Sequence, residues 1–336
     1  MLQVHDFFFN VKYYKAVIWL NFNYFYIVEH KIEKILKEKF KAFEKCNFLI
    51  AVSGGVDSMV LANLFLKNNL RFSVAHCNFK LRSNESDIDH DFVKKWCLKH
   101  KIHCHSNEFN TVKFCKKNKM GIQEGARKLR YDWFDGLLSE FNFDYLVTAH
   151  HLDDQIETYL INSSRGSGIN GLLGIASSSK KIFRPLLNIS KIDIVDYAQK
   201  TSIEYREDSS NSSEDYQRNM IRNSVIPAFR EFDDNVMLKF KTTINNLQST
   251  KIFVDEIMKE TKTQLFKNNS NTIKVDIEKL MEKRPLEFYV HNLFHEFGFN
   301  YKEVIKIFNS DSGKLILSNT HIMTKSKRHL IIKKND

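Results

Sequence analysis

The stretch Phe48-Leu49-Ile50-Ala51-Val52-Ser53-Gly54-Gly55-Val56-Asp57-Ser58 limits what this chain can fold into. Five apolar residues in a row, 48–52, read as a strand buried on both faces, and such strands belong to parallel sheets. Ser53-Gly54-Gly55 cannot extend that strand, and two glycines permit a tight turn with its backbone N–H groups exposed. Met59, Val60, Leu61, Leu64 and Phe65 then recur at helical spacing, so a helix begins near Asp57 or Ser58. Strand, Gly-rich turn and helix N-terminus together make an anion site, because the N–H groups and the helix dipole point at the turn. Ser53 and Ser58 add hydroxyls, and Asp57 supplies a carboxylate for a cation beside a phosphate. The P-loop pattern G-x-x-x-x-G-K-[ST] is absent.

Downstream, strands and helices alternate. Strands are expected at 72–76, 102–105, 145–149 and 182–186, and helices at 86–101, 123–141, 153–162 and 190–200. This order predicts a Rossmann-like α/β domain, with a parallel sheet covered by helices on both faces. Functional residues are then expected at the carboxyl ends of the strands. Nine of the eleven glycines fall between residues 54 and 174, which places the special backbone geometry there. The domain reading is an N-terminal extension over 1–30, a catalytic domain over 31–228, a helical linker over 229–268 and a small α+β module over 269–336. The extension is rich in aromatics, but Lys12, Lys15 and several Asn break its apolar runs below the length of a membrane span. It reads as dispensable for catalysis, or as a misplaced start, rather than as a membrane-surface anchor. Residues 30–46 read as a Lys/Glu-rich amphipathic helix.

A net charge of +11 suits an anionic partner such as nucleic acid. Five cysteines, an odd number without a Cys-x-x-Cys pair, support neither a disulfide framework nor a zinc site. A reducing, cytoplasmic setting fits that usage.

A second signal is Thr148-Ala149-His150-His151-Leu152-Asp153-Asp154-Gln155-Ile156-Glu157-Thr158. It follows the apolar run 145–147, so two histidines end a strand and three acids open a helix. Asp154 and Glu157 are three apart and share a helix face. Oxygen ligands so placed suit Mg²⁺ bound together with substrate phosphates, and the histidines suit donation to a phosphate oxygen. The competing reading is that acids at a helix start merely complement its dipole, which leaves His150-His151 unexplained.

Ser-Gly-Gly-x-Asp-Ser resembles the pyrophosphate loop of the N-type ATP pyrophosphatases, the PP-loop superfamily. Within it, five ordered motifs resemble the tRNA(Ile)-lysidine synthetase (TilS) family. They are the loop, the Gln123–Phe134 helix carrying Glu124, Ala126, Arg127, Arg130 and Tyr131, and the block 150–158 followed by Arg165-Gly166-Ser167-Gly168. Arg184-Pro185-Leu186, and Asp208-Ser209-Ser210-Asn211 with Arg218-Asn219-Met220-Ile221-Arg222, complete the set.

The resemblance implies ATP-dependent transfer of AMP to the wobble cytidine of tRNA(Ile) with a CAU anticodon, followed by attack of free lysine to give lysidine. It implies ATP held by Ser53, Gly54, Gly55, Val56, Asp57 and Ser58, and Mg²⁺ on Asp57, Asp154 and Glu157. Catalytic residues are expected at Asp57, His150, Asp154, Arg127 and Arg218, with His76, Arg130 and Arg222 as further candidates. The basic residues Lys314, Lys325, Lys327, Arg328, Lys333 and Lys334 are expected to grip the tRNA backbone. This chain departs from the family's His-Val-Asn-His-Gly-Leu-Arg segment, reading His76-Cys77-Asn78-Phe79-Lys80-Leu81-Arg82. The alternatives are a thiolase of the same superfamily, which would need a catalytic cysteine, and a non-catalytic, nucleotide-sensing RNA-binding protein.

Overall fold

The computed structural model describes residues 32–33, 43, 45–81, 84–176, 178–179, 181–207, 216–269 and 271–335. The extension over 1–30, most of the helix expected over 30–46, Arg82 and residues 208–211 lie outside them. Chain contacts divide the molecule into a unit ending at Asn245 and one beginning at Asn246.

The first unit is built on a six-stranded sheet. Its strands are β1 (Asn47–Ala51), β2 (Arg71–Asn78), β3 (Cys104–Glu108), β4 (Tyr145–Val147), β5 (Ser178–Ser179) and β6 (Ile182–Phe183). Their spatial order is β3-β2-β1-β4-β6-β5. All neighbours are parallel except the β5–β6 pair at the edge. Ile50 is in register with Val74 on one side and Val147 on the other. Strand order therefore reverses between β1 and β4, and in open α/β sheets the crevice at that reversal is where ligands bind.

The buried run 48–52 works as its composition demands. Phe48, Leu49 and Ile50 are wholly buried, and the helix α1 (Val56–Lys67) packs Met59, Val60, Leu61, Leu64 and Phe65 against the sheet. Each such side chain contributes about 1.5–3 kcal/mol by leaving water. The helix α2 (Asn84–Lys99) adds Val93, Trp96 and Cys97 to that layer. On the opposite face α3 (Thr111–Asn118) leads into α4 (Ile122–Glu140), which buries Phe134, Leu137 and Leu138 against Leu49, Ala75 and Leu146.

Three strand expectations shift. That at 145–149 ends at Val147. The strand expected at 102–105 runs over 104–108, because Ile102 N–H still closes the preceding helix on the Cys97 carbonyl at 2.9 Å. The strand expected at 182–186 stops at Phe183. Pro185 has no N–H for a ladder and instead starts a 3₁₀ turn, Pro185–Asn188.

From β4 the chain enters α5 (Leu152–Ser164). After the 3₁₀ turn comes α6 (Lys191–Lys200), whose N-cap Ser190 accepts from Asp193 N–H at 3.1 Å. A helical stretch, Tyr216–Met220, Ile221–Val225 and Ile226–Phe232, then packs Ile221 and Ile226 against Leu152 and Ile156 of α5. The expected linker is helical for most of its length, over Val236–Leu265.

The second unit closes an antiparallel sheet, β7-β8-β11-β10-β9, comprising β7 (Phe266–Asn269), β8 (Thr272–Asp276), β9 (Leu315–Leu317), β10 (His321–Ser326) and β11 (His329–Lys334). Helices at Leu286–Phe294 and Tyr301–Phe308 fill its core with Val290, Leu293, Phe294, Val304 and Ile307 against Val275, Met323 and Leu330. A 3₁₀ turn, His295–Phe297, follows the first of these, and Gly298, at φ +76°, ends it in the left-handed conformation that glycine adopts without strain.

Among the described residues, no helix is long and apolar enough to cross a membrane. The loop glycines differ in what they tolerate. Gly54 has φ +99°, whereas Gly55 sits at φ −73° with only the Ser53 hydroxyl within 4 Å of an added Cβ. Gly54→Ala is therefore expected to lose about 1–3 kcal/mol of unfolding free energy from backbone strain alone. Gly55→Ala should stay within about 0.5 kcal/mol of the parent. Urea midpoints of the two variants check this.

Candidate active site

The loop that leaves β1 folds its own polar groups inward. Ser53 N–H and Gly54 N–H both donate to the Ser58 hydroxyl, at 3.2 and 3.3 Å, and that hydroxyl donates to the Gly55 carbonyl at 2.9 Å. Gly55 N–H donates to the Ser53 hydroxyl at 3.3 Å. The Ser53 and Gly54 N–H groups thus converge on one hydroxyl at the α1 N-terminus, where an anion's oxygen would be held. Two residues brace the loop from behind. His76 Nδ1 contacts the Val52 carbonyl at 2.9 Å, and Arg206 N–H donates to the Gly54 carbonyl at 2.9 Å. His76 is buried, and burial pushes its pKa down. It supports the loop and is not among the residues lining the cavity in front of it.

The acids that open α5 face the loop across the β1–β4 reversal. His151 lies beneath them, buried, with Nε2 at 3.5 Å from Asp154 and 3.8 Å from Asp57, and Nδ1 at 3.7 Å from Asp153. It separates three carboxylates rather than meeting a phosphate. Asp154 also accepts from His151 N–H at 2.9 Å. Burial would raise its pKa, but the two histidines, that N–H and Arg218 hold it below the usual carboxylate range.

Glu157 departs from its expected role. It is fully buried and carries Arg218 Nε at 2.8 Å and Arg222 Nε at 2.7 Å, with Arg222 Nη2 a further bond at 3.1 Å. Two guanidiniums saturate its oxygens, so it is a structural anchor and not a ligand open to Mg²⁺. Arg218 continues to the Thr158 hydroxyl at 3.1 Å, and Arg222 reaches Asp154 at 3.5 Å. Asp153 is similarly taken, by Arg230 at 3.0 Å and Lys191 N–H at 2.8 Å.

Asp57 and Asp154 remain as the carboxylates that line the cavity, Asp57 held there by the ammonium of Lys191 alone among the described lysines and arginines. They are brought within reach of one imidazole nitrogen and both line the cavity. Among the described residues no group of three or more His, Cys, Asp or Glu side chains forms a metal cage. That donor set fits Mg²⁺, which binds through one or two carboxylates plus substrate phosphates.

The cavity between loop and acids has a volume of about 250 Å³ and is floored by Val52, Ala75 and Phe134. His150 lines it, its Nδ1 held by the Thr148 hydroxyl at 2.8 Å; burial pushes its pKa down to about 4, so it stands neutral at pH 7. Arg130 also lines it, 5.1 Å over the Phe79 ring, and Phe79 stacks on Phe109 with centroids 5.4 Å apart. Arg127, one turn earlier on α4, lies over Tyr131 at 5.0 Å and is not among the lining residues. Cys77 lines the cavity too, but burial pushes its thiol up to about 12, the opposite of what a nucleophilic cysteine needs.

Of the expected residues, then, the structure gathers Ser53, Asp57, Ser58, His150, Asp154 and Arg130 around the cavity, with Gly54 and Gly55 forming the turn between Ser53 and the α1 helix. Val56 opens the α1 helix. It sets Arg218, Arg222 and Glu157 beside the cavity as an ion cluster, and leaves His76 and Arg127 outside. Sequence reasoning missed Lys191, whose Nζ grips both oxygens of Asp57 at 2.7 and 2.8 Å, and Arg230. Neither carries a local signal, since each is a lone basic residue at a helix start or on a helix face.

Glu157→Gln should cost about 3 kcal/mol, because it leaves buried guanidinium charge short of its partner. Asp57→Asn, whose ion pair is partly solvated, should cost less than about 1 kcal/mol. Chemical denaturation separates the two. His150 has a lower pKa folded than unfolded, so the unfolded chain binds more protons between the two values. Stability should therefore fall as pH drops from about 6.5 to about 4, and His150→Asn should reduce that slope in thermal melts.

Comparisons with known proteins identify the family and the fold. A family model described as the PP-loop domain matches residues 26–229, and one described as the TilS substrate binding domain matches residues 268–335. A tRNA(Ile)-lysidine synthase from Bacteroides thetaiotaomicron is 31% identical over 91% of this chain and 72% of its own length. One from Porphyromonas gingivalis is 31% identical over 90% of this chain and 67% of its own length. One from Chlorobaculum tepidum reaches 43% identity over 54% of this chain and 56% of its own length. Among solved structures, a U34-tRNA thiolase from Methanococcus maripaludis superposes with a TM-score of 0.55 at 16% identity. That match covers 66% of this chain and 80% of the thiolase, a likeness of fold. With the PP-loop domain matched over more than half its length, and a relative above 30% identity spanned for more than two thirds of its own, the chain belongs to the PP-loop proteins and, within them, to the tRNA(Ile)-lysidine synthase family.

Proposed function

We propose that this ATP-dependent tRNA-modifying ligase joins lysine to the 2-carbon of the wobble cytidine of CAU-anticodon tRNA(Ile). The observation that carries the reading is the meeting, across one cavity, of the Ser53–Ser58 loop with His150 and Asp154 at the β1–β4 reversal. The sequence alternates strand and helix to bring those two segments together, and both are parts that phosphoryl and adenylyl transfer use.

In the first step the cytidine 2-oxygen attacks the α-phosphorus of ATP and pyrophosphate leaves. The loop N–H groups and the α1 dipole stabilise the leaving pyrophosphate, whose charge grows as the bond breaks. Asp57 and Asp154 would hold Mg²⁺, which when bound neutralises phosphate charge. His150 is neutral, so it donates a hydrogen bond to a phosphate oxygen without adding charge. Arg130 and Phe79, in cation–π contact at 5.1 Å, give the cavity a guanidinium and a ring against which a base extruded from an RNA loop can stack. In the second step the ε-amine of lysine attacks the activated 2-carbon. AMP departs with the former 2-oxygen, and the amine loses a proton. The Arg218–Glu157–Arg222 cluster braces the adjoining wall and leaves it one net positive charge, which Arg222 turns toward Asp154.

The C-terminal unit supports binding of the tRNA backbone, although not through every basic residue expected to do so. Lys325 Nζ is committed to the carbonyls of Phe308 and Ser310 at a helix end. Arg328 lies 3.3 Å from Glu278 but stays exposed. Lys314, Lys327, Lys333 and Lys334 are exposed. The thiolase reading loses support from the raised Cys77 thiol and from the lack of a Cys-x-x-Cys pair.

Pyrophosphate release from ATP should require both free lysine and CAU-anticodon tRNA, and Asp154→Ala should lower it by about a hundredfold or more. Turnover that ignores the tRNA would refute the reading. Lys333→Glu with Lys334→Glu should weaken tRNA binding and flatten its dependence on salt, by about one unit of log–log slope per lost phosphate contact. Mass spectrometry of the product tRNA identifies the base formed.

A further inference from the structure

The chemistry above gives no task to Lys191, yet its position is among the most closely fixed in the site. It is the first residue of α6, directly after the N-cap Ser190. Its own N–H donates to Asp153 at 2.8 Å, and Leu152 N–H donates to the Ile189 carbonyl at 2.8 Å. The root of the side chain is therefore bolted to the start of α5, beside the two acids that line the cavity. From there the ammonium spans to both oxygens of Asp57, at 2.7 and 2.8 Å.

That place is the one a divalent cation on Asp57 would take. The guanidiniums that reach the acid cluster are committed elsewhere, Arg218 and Arg222 to buried Glu157 and Arg230 to Asp153, while Arg130 lies over Phe79. The Lys191 side chain is different, being 37% exposed on a flexible stem, with Asp57 28% exposed. Two cations cannot share one carboxylate without repulsion. The ammonium stays tethered next to the loop, and a lysine ammonium is a good point-charge partner for phosphate.

We propose that Lys191 is a resident counter-ion. It neutralises Asp57 while the site lacks metal, and it moves onto the pyrophosphate end of the nucleotide when Mg²⁺ and ATP bind. This rests on the reading that Asp57 takes Mg²⁺ and the loop takes the pyrophosphate. The exchange keeps the acid cluster paired in both states and delivers a positive charge to the leaving group.

The test uses the full chain and binding, not turnover. Lys191→Met should bind Mn²⁺, measured by electron paramagnetic resonance without nucleotide, about tenfold more tightly than the parent. It should bind inorganic pyrophosphate in the presence of Mg²⁺ about tenfold more weakly. A merely structural lysine would not move the two affinities in opposite directions. On the unmutated chain, acetylation of Lys191 followed by mass spectrometry should speed up on adding Mg²⁺ alone and slow down on adding Mg²⁺ with pyrophosphate, which decides the matter even where the variant folds poorly. Unchanged or weaker Mn²⁺ binding by Lys191→Met, or labelling indifferent to Mg²⁺, overturns the proposal. Asp57→Asn tells which idea has failed. If it loses Mn²⁺ while Lys191→Met behaves as the parent, only the counter-ion role falls. If it keeps the parent's Mn²⁺ affinity, the metal reading beneath falls with it.

Discussion

Four carboxylates crowded at the meeting of α1 and α5 set the terms for the rest of this domain. Asp57, Asp153, Asp154 and Glu157 are buried or half-buried, and carboxylates so placed are tolerated only when paired. Their partners come from far along the chain: Lys191 from α6, and Arg218, Arg222 and Arg230 from the helices that follow. The apolar contacts of Ile156 with Ile221 and Ile226 hold those late helices near α5, but they do not fix which residue faces which. The charges do. The segment 216–232 is thus positioned by the same acids that open the catalytic edge, which couples stability to the site.

The pairings fall into two kinds. Glu157 and Asp153 are saturated by guanidiniums and a backbone N–H, and nothing a substrate brings would improve on them. Asp57 is held by a single flexible ammonium, and Ser53 N–H and Gly54 N–H by one hydroxyl at long distances. The polar groups that await ATP are therefore satisfied by weak, local stand-ins, as polar groups in folded proteins generally must be. Binding exchanges partners rather than filling a void, so the site stays ordered without a ligand.

Much of this could be read from the sequence, and the limits have physical causes. The buried run at 48–52, the glycine turn and the His150 to Glu157 block announce themselves because backbone geometry and strand ends demand those residue types locally. Pairings such as Glu157 with Arg218 are long-range. Sequence spacing made Glu157 a metal ligand on the shared face of a helix, and only the fold shows which side chains reach that face first. Strand β10 carries little sequence signal for a related reason: Met323 is its one fully buried residue, in a run whose alternation is otherwise blurred by polar residues. Lys325 looked like a tRNA contact by charge alone, and its ammonium turned out to close a helix end.

The departure at Phe79-Lys80 separates frame from surface. Lys80 has φ +51°, the left-handed conformation open to the glycine it stands in for, so the turn after β2 keeps its shape. An L-residue there carries strain, and its ammonium offsets part of it by contacts to Asp87 and Glu108. Asn78 secures the same turn, accepting Lys80 N–H at 3.0 Å and donating to Asp87 at 2.9 Å. Phe79 is then free to change chemistry without changing geometry. Where the family's histidine would present a polar edge, this chain presents a ring, backed by Phe109 and covered by Arg130. The substitution shifts that wall of the cavity from hydrogen bonding toward aromatic contact, with the Phe79 ring and the Arg130 guanidinium both lining it.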